Sequence, residues 1–311
     1  MYDLLIIGLG PAGMTASIYA SRYRLKHLII GQVLGGSIVL SGEVGNVPAF
    51  PSTTGLEWSK KVEEQIKTLG AEVAYDTVTK IEKIDGGYKV TDSQGRQFEA
   101  KTLILAAGSE RKKLNIPGED TYQGKGVSFC TTCDVPFYKD KVVIVIGGAN
   151  AAVSGAVHAA AYAKRVYIIY RKEELRAEPI WIEQARANSK IEIIYETNVV
   201  AIEGDGQKVT GAKLDHPYNG QDLLLTDGIF IEIGSVPGLI LARNLGLELN
   251  EVGYLKVTDG MSTNLPGVFA AGDITDKGQL LAQLITACAQ GAMAAASAFK
   301  FLKGEKAPKI Y

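Results

Sequence analysis

Two cysteines three residues apart carry the most reactive chemistry in this chain. They lie in Cys130-Thr131-Thr132-Cys133, and Asp134 follows the second sulfur directly. A Cys-x-x-Cys pair depresses thiol pKa and lets the two sulfurs open and close a disulfide by exchange. A carboxylic acid beside them offers a proton donor or acceptor to that exchange. The same spacing also serves zinc sites and structural disulfides, so the pair alone leaves three chemistries open. Zinc is poorly served, because it takes four ligands. The third cysteine, Cys288, stands in a late Ala-rich stretch, and His27, His158 and His216 are scattered along the chain.

The elements that must position this pair begin at the N-terminus. Residues 3–7 read as a buried parallel strand, followed by Gly8-Leu9-Gly10-Pro11-Ala12-Gly13 and a helical stretch to about residue 23. Strand, GxGxxG, helix is the order a dinucleotide site requires: the glycines allow a tight turn and close approach to a pyrophosphate, and the helix N-terminus faces it. The next strand, 27–30, runs into Gly31-Gln32 without the acid that commonly grips a ribose, so neutral groups must make that contact. Gly35, Gly36 and Ser37 open a polar, glycine-rich stretch through Glu43 to Asn46 that suits a flat ring system; an ordinary surface loop is the other reading. A helix is expected over 56–69 and strands over 72–74, 78–84 and 88–91, with Gly86-Gly87 turning the last two into a hairpin. A buried strand then ends in Ala106-Ala107-Gly108, small residues past which a cofactor could run.

After the cysteine pair the first pattern repeats. Residues 141–146 form a strand, then come Gly147-Gly148-Ala149-Asn150-Ala151-Ala152 and a helix to about residue 162. Gly8 falls on Gly147 and Gly13 on Ala152, while Ala149 stands where Gly10 did. Two strand–turn–helix units mean two nucleotide sites and two cofactors. The following strand, 165–169, leads into Arg171, Lys172 and Arg176, a basic cluster suited to a 2′-phosphate and so to NADPH over NADH. The plainer reading is a solvated helix face that also carries Glu173 and Glu174. Residues 191–214 read as a β-rich extension with a hairpin at Gly204-Asp205-Gly206, 229–237 close the unit, and 241–247 form a return connector. A strand over 267–273 ends in Gly272 and an exposed Asp273, with a helix from about Gln279. That acid either accepts hydrogen bonds from a polyol such as a ribityl chain or simply caps the helix.

Length and composition agree with an α/β enzyme of two Rossmann-like dinucleotide-binding domains. The chain has 311 residues, 46% of them hydrophobic, with 35 glycines for tight turns. A net charge of −1 gives no reason to expect nucleic acid. The first strand starts at residue 2, leaving no room for a leader, and the apolar stretch 280–302 carries Gln283, Gln290, Ser297 and Lys300, so a packed interior helix is expected there rather than a membrane span. A cytoplasmic setting follows, in which three cysteines point to redox or metal work rather than a structural framework.

Taken together these motifs resemble the low-molecular-weight thioredoxin reductases over nearly the whole chain. Gly8-x-Gly10-x-x-Gly13 and Ala107-Gly108 match the family's FAD segments. Cys130-x-x-Cys133-Asp134 matches its redox dithiol. The stretch from Gly147 to Ala152, with Arg171-Lys172 and Arg176, matches the NADPH loop and its phosphate clamp. Gly272-Asp273 matches the segment holding the FAD ribityl chain, with Gln283 and Leu284 nearby. Three positions depart from the family pattern: Ala149 for glycine, Lys172 for a second arginine, and Ala282 for the arginine before Gln283.

The resemblance implies a homodimer with a split FAD domain, 1–114 plus 245–311, and an inserted NADPH domain, 115–244, that rotates to serve flavin and partner in turn. It also implies that Cys133 faces the flavin, Asp134 protonates the leaving thiolate, and Cys130 attacks the disulfide of a thioredoxin-like protein. Two other readings stay open: a dithiol flavoprotein fed by ferredoxin or feeding oxygen, and a non-catalytic nucleotide sensor with a redox or zinc switch.

Overall fold

The runs 4–7, 28–30 and 103–105 are apolar at every position, which suits parallel strands covered by helices on both faces. In the computed structural model, which describes residues 1–41, 44–50 and 52–304, these runs lie side by side and almost fully buried. The α/β class is as expected. The chain divides into two units, Met1–Glu110 with Pro237–Tyr311, and Arg111–Val236.

In the first unit a seven-stranded sheet runs Glu72–Ala74, His27–Ile30, Tyr2–Ile7, Gln97–Leu105, Gly87–Asp92, Val78–Ile84. The first four of these are parallel, and the last two form the antiparallel hairpin. Ile84 pairs with Gly87, so Asp85 and Gly86 make the turn and Gly87 is already strand. The strand Gln97–Leu105 is longer than expected because its first half pairs with the hairpin. Its second half pairs in parallel with Val268–Ala270.

Helix Pro11–Arg22 starts on a proline, which suits the first helical position, and packs against the C-terminal helix Leu284–Lys303. At Gly291 the two backbones come so close that a methyl group would lie 2.0 Å from the Ala12 carbonyl oxygen. The C-terminal helix was expected to be interior. It buries one stripe, Leu284, Ala287, Gln290, Gly291, Ala294, Ala295 and Ala298, while Ile285, Met293 and Phe301 remain exposed. It does not start near Gln279: a short helix, Asp276–Leu280, comes first. The expected connector 241–247 contains the helix Ile240–Asn244, and Leu239 and Ala242 bury in the first unit's core. The second compact unit ends at Val236.

The second unit holds a five-stranded parallel sheet in the order Ile191–Ile194, Arg165–Ile169, Val142–Ile146, Gly228–Ile231, Val127–Ser128. Ile191–Ile194 thus belongs to the main sheet, and the β-rich extension is the separate antiparallel set Val199–Gly204, Val209–Tyr218 and Gln221–Leu225. Helix Asn150–Ala160 follows the second glycine turn. A helix not expected from the sequence, Pro179–Ala187, packs beside it. Residues 171–174 are bends, so the reading that put Glu173 and Glu174 on a helix does not hold.

Candidate active site

The three glycines of the first fingerprint have three different causes. Gly8 has φ +118°, and a Cβ there would sit 2.1 Å from the Ala106 carbonyl oxygen. A Cβ on Gly13 would sit 1.9 Å from the Gly8 carbonyl oxygen, so helix and turn can close only on glycine. At Gly10 the nearest atom to such a Cβ is the Gly35 carbonyl oxygen at 3.9 Å. The protein itself leaves that space open, as a site for a pyrophosphate needs.

Other expected residues gather at the same strand ends. The Gly35 N–H donates to the Leu9 carbonyl (2.7 Å), and a Cβ on Gly36 would lie 3.1 Å from Gly10 Cα. Ser37 and Ala107 are exposed, and Gly108 has φ +65°. Asn46 Nδ2 donates to Gln283 Oε1 (2.9 Å), joining two expected residues from distant parts of the chain. Leu284 buries its side chain in the core, so only its backbone can serve a ligand. Gly42 and Glu43, within the expected ring-binding stretch, lie outside the described residues.

Asp273 is not exposed as expected but half-buried. Burial pushes its carboxyl above the ordinary aspartate value, and among the described residues it has no hydrogen-bond or ion-pair partner. It does not cap a helix: Thr275 does, accepting from the Gly278 N–H (2.9 Å). Gln290, which the sequence did not single out, is buried and fixes this turn. Its Oε1 accepts from the Gly272 N–H (2.7 Å) and from Thr275 Oγ1 (3.1 Å). A half-buried carboxylate without a partner among the described residues, beside an open glycine turn, fits a hydroxyl-bearing, phosphate-bearing ligand.

In the second unit Cys130 and Cys133 form a disulfide. Cys130 is the N-cap of the short helix Thr131–Asp134, and the Cys133 N–H donates to Cys130 Sγ (3.1 Å). Cys133 is exposed, and Asp134 ends the same helix half-buried. Cys288 is a free thiol packed against the first unit's core, its pKa pushed up by burial and partly restrained by a hydrogen bond with Thr15.

The second fingerprint is fastened to the basic segment after it. Gly147 has φ +140°, and a Cβ on Gly148 would run into the Tyr170 ring at 2.5 Å. The Arg176 N–H donates to the Gly148 carbonyl (2.6 Å), and Arg176 Nε to the Tyr170 hydroxyl (2.9 Å). The Asn150 side chain is engaged by Glu178, accepting from its N–H (2.7 Å) and donating to its carboxylate (3.2 Å). Ala149 is the N-cap, and Ala151 is exposed in the first turn. Arg171, Lys172 and Arg176 line one open depression of about 870 Å³, together with Glu173, Glu174, Glu196 and His216. The three basic residues thus share one depression with acids.

One residue absent from the sequence expectations lies against the dithiol loop. Glu232 Oε1 accepts from the Thr131 N–H (3.2 Å) and Oγ1 (3.1 Å), and Oε2 accepts from Arg111 Nη1 (2.8 Å). Burial pushes its carboxyl above the ordinary glutamate value, while Arg111 and Thr131 pull the other way.

A paired dithiol in a unit with its own glycine fingerprint, and a second fingerprint in the other unit, is a constellation that can be matched against known families. The family model described as pyridine nucleotide-disulphide oxidoreductase matches residues 2–295. The chain belongs to this family. A thioredoxin reductase of Listeria monocytogenes is 40% identical over 306 residues, 97% of this chain and 94% of that one. The crystal structure of Lactococcus lactis thioredoxin reductase (FR conformation) superposes with a TM-score of 0.93 at 36% identity, covering 98% of this chain and 100% of its own. That of T. acidophilum thioredoxin reductase gives 0.89 at 34% identity, covering 96% and 98%.

Proposed function

We propose that this protein passes electrons from NADPH, through FAD and the Cys130/Cys133 pair, to the disulfide of a thioredoxin-like protein. The observation that carries the reading is the Cys130–Cys133 disulfide, held in the unit that carries the second nucleotide fingerprint. In this reading the first unit holds FAD and the second NADPH. Gly8, Gly10, Pro11, Ala12 and Gly13 take the FAD pyrophosphate and Asp273 a ribityl hydroxyl. Gly35, Gly36, Ser37, Asn46, Ala107, Gly108, Gln283 and the Leu284 backbone border the rest. Residues 147–151 face the NADPH pyrophosphate, and Arg171, Lys172 and Arg176 its 2′-phosphate.

When bound, FAD relays two electrons from the nicotinamide to the disulfide. The chain's own part is sulfur and proton chemistry. Reduction breaks the Sγ–Sγ bond and places two electrons and two protons on the pair, and Asp134 delivers a proton to the thiolate that leaves. Cys130 then attacks the partner's disulfide, with the Cys133 N–H steadying negative charge on its sulfur. Cys133 resolves the mixed disulfide and releases the partner as a dithiol. A homodimer in the cytoplasm suits this reading: Leu280, Leu281, Ile285 and Met293 are each exposed apolar side chains for a second copy to cover.

A second reading, a donor other than NADPH such as ferredoxin, is favoured by Ala149 and by the three glutamates among the basic side chains. Steady-state reduction of a thioredoxin panel with NADPH or NADH separates the two. We expect NADPH-driven turnover that Cys130→Ser abolishes; NADPH-independent reduction supported only by ferredoxin would select the second reading.

A further inference from the structure

The strand ends of the second unit hold a charged group that the chemistry above does not use. Glu232 follows the buried strand Gly228–Ile231, is 5% exposed, and is fixed to the next strand by its N–H, which donates to the Ile146 carbonyl (2.9 Å). A buried carboxylate is costly unless it is paired and fully hydrogen-bonded. Among the described residues, the donors to its side chain belong to one of two places: Thr131 in the dithiol loop, or Arg111 at the start of the unit.

Thr131 is itself held on two sides. It is 1% exposed, and its side chain lies over Gly155 of the fingerprint helix, where an added methyl would come within 3.1 Å of its Cβ and Oγ1. Its hydroxyl and N–H both turn to Glu232. The residue directly after Cys130 is thus clamped between a helix backbone and a carboxylate.

We propose that Glu232, braced by Arg111, is a positioning residue for the Cys130–Cys133 pair and biases that pair toward the disulfide. The physical basis is the turn's supply of amide donors. A thiolate at Cys130 is served by the Cys133 N–H, whereas the Thr131 N–H of the same turn is committed to Glu232. The carboxylate also places negative charge beside the loop in which reduction develops negative charge on sulfur, and Arg111 offsets part of it. Removing either partner should therefore move the sulfur pair in opposite directions. A clamp that acted only by holding shape would loosen the loop in the same direction in both cases.

The inference rests on Cys130 and Cys133 being the working dithiol. The test equilibrates the flavin-loaded protein in buffers of reduced and oxidised dithiothreitol and counts the disulfide fraction by thiol labelling. Dithiothreitol supplies the two electrons and two protons, so neither NADPH nor thioredoxin is needed. Glu232→Gln should favour the dithiol about tenfold, which for two electrons is about 30 mV less negative. Arg111→Gln should shift the balance about as far toward the disulfide. Shifts of the same sign, or both within twofold of the parent, would overturn the proposal, and if only one variant folds, its sign alone decides. A parent pair that never interconverts in these buffers would instead overturn the functional reading.

Discussion

The two glycine fingerprints of this chain share a plan and differ in what enforces it. At Gly8 and Gly147 the turn itself demands glycine, since both have φ in the left-handed region and an added Cβ would strike a carbonyl oxygen. At the last position the units part. Gly13 leaves 1.9 Å to the Gly8 carbonyl, whereas the second unit accommodates Ala152 fully buried. At the middle position Gly10 faces open space, and Ala149 puts a methyl there. The first and last positions report on the fold, and only the middle one reports on what approaches from outside. A GxGxxG pattern is therefore three separate statements, and its ligand statement is weaker in the second unit.

The largest effect should come from forcing the first unit to copy the second. Gly13→Ala meets backbone atoms that cannot swing aside, so it should cost about 3 kcal/mol, the upper end for overpacking, and release flavin. Ala152→Gly loses a buried methyl and helix propensity, about 1–2 kcal/mol. Thermal unfolding with flavin absorbance checks both, and equal effects would break the comparison. A smaller effect is expected from Ala149→Gly, which restores the open middle position. The NADPH KM should fall about three- to tenfold, roughly 1 kcal/mol, with kcat unchanged; a rise in KM would show that the methyl is part of the nucleotide site.

The smallest effect concerns pH. The Asp273 carboxyl is raised above 3.8 by burial, so the folded flavin-free protein holds its proton to higher pH than the unfolded chain does. Stability from this group is thus greatest below 3.8 and declines as pH rises through the raised value. Asp273→Asn should make the flavin-free protein more stable at neutral pH, with the gain vanishing in acid, while weakening flavin retention. Denaturant melts at two pH values decide it, and a gain that persists in acid would contradict the assignment.

Much of the fold could be read from the chain because its parallel strands are apolar on both faces and end in glycine turns. His27–Ile30, Glu72–Ala74, Val78–Ile84 and Arg165–Ile169 begin and end where the sequence placed them. The helix Pro179–Ala187 escaped notice because Glu178-Pro179 reads as a break, although proline is favoured at a helix's first position. Asp273 was expected at the surface, but its burial is set by tertiary neighbours rather than by adjacent residues. Glu232 lies within 229–237, a stretch the sequence marks only as closing the unit. Its partners lie 101 and 121 positions away, a separation that no local pattern encodes.

The most direct test is an anaerobic titration with NADPH that follows flavin absorbance and free thiols together. The account predicts that the yellow colour bleaches and that two new thiols appear per chain, and that Cys130→Ser bleaches without gaining them. Bleaching with the Cys130–Cys133 bond still closed in the parent protein would contradict it.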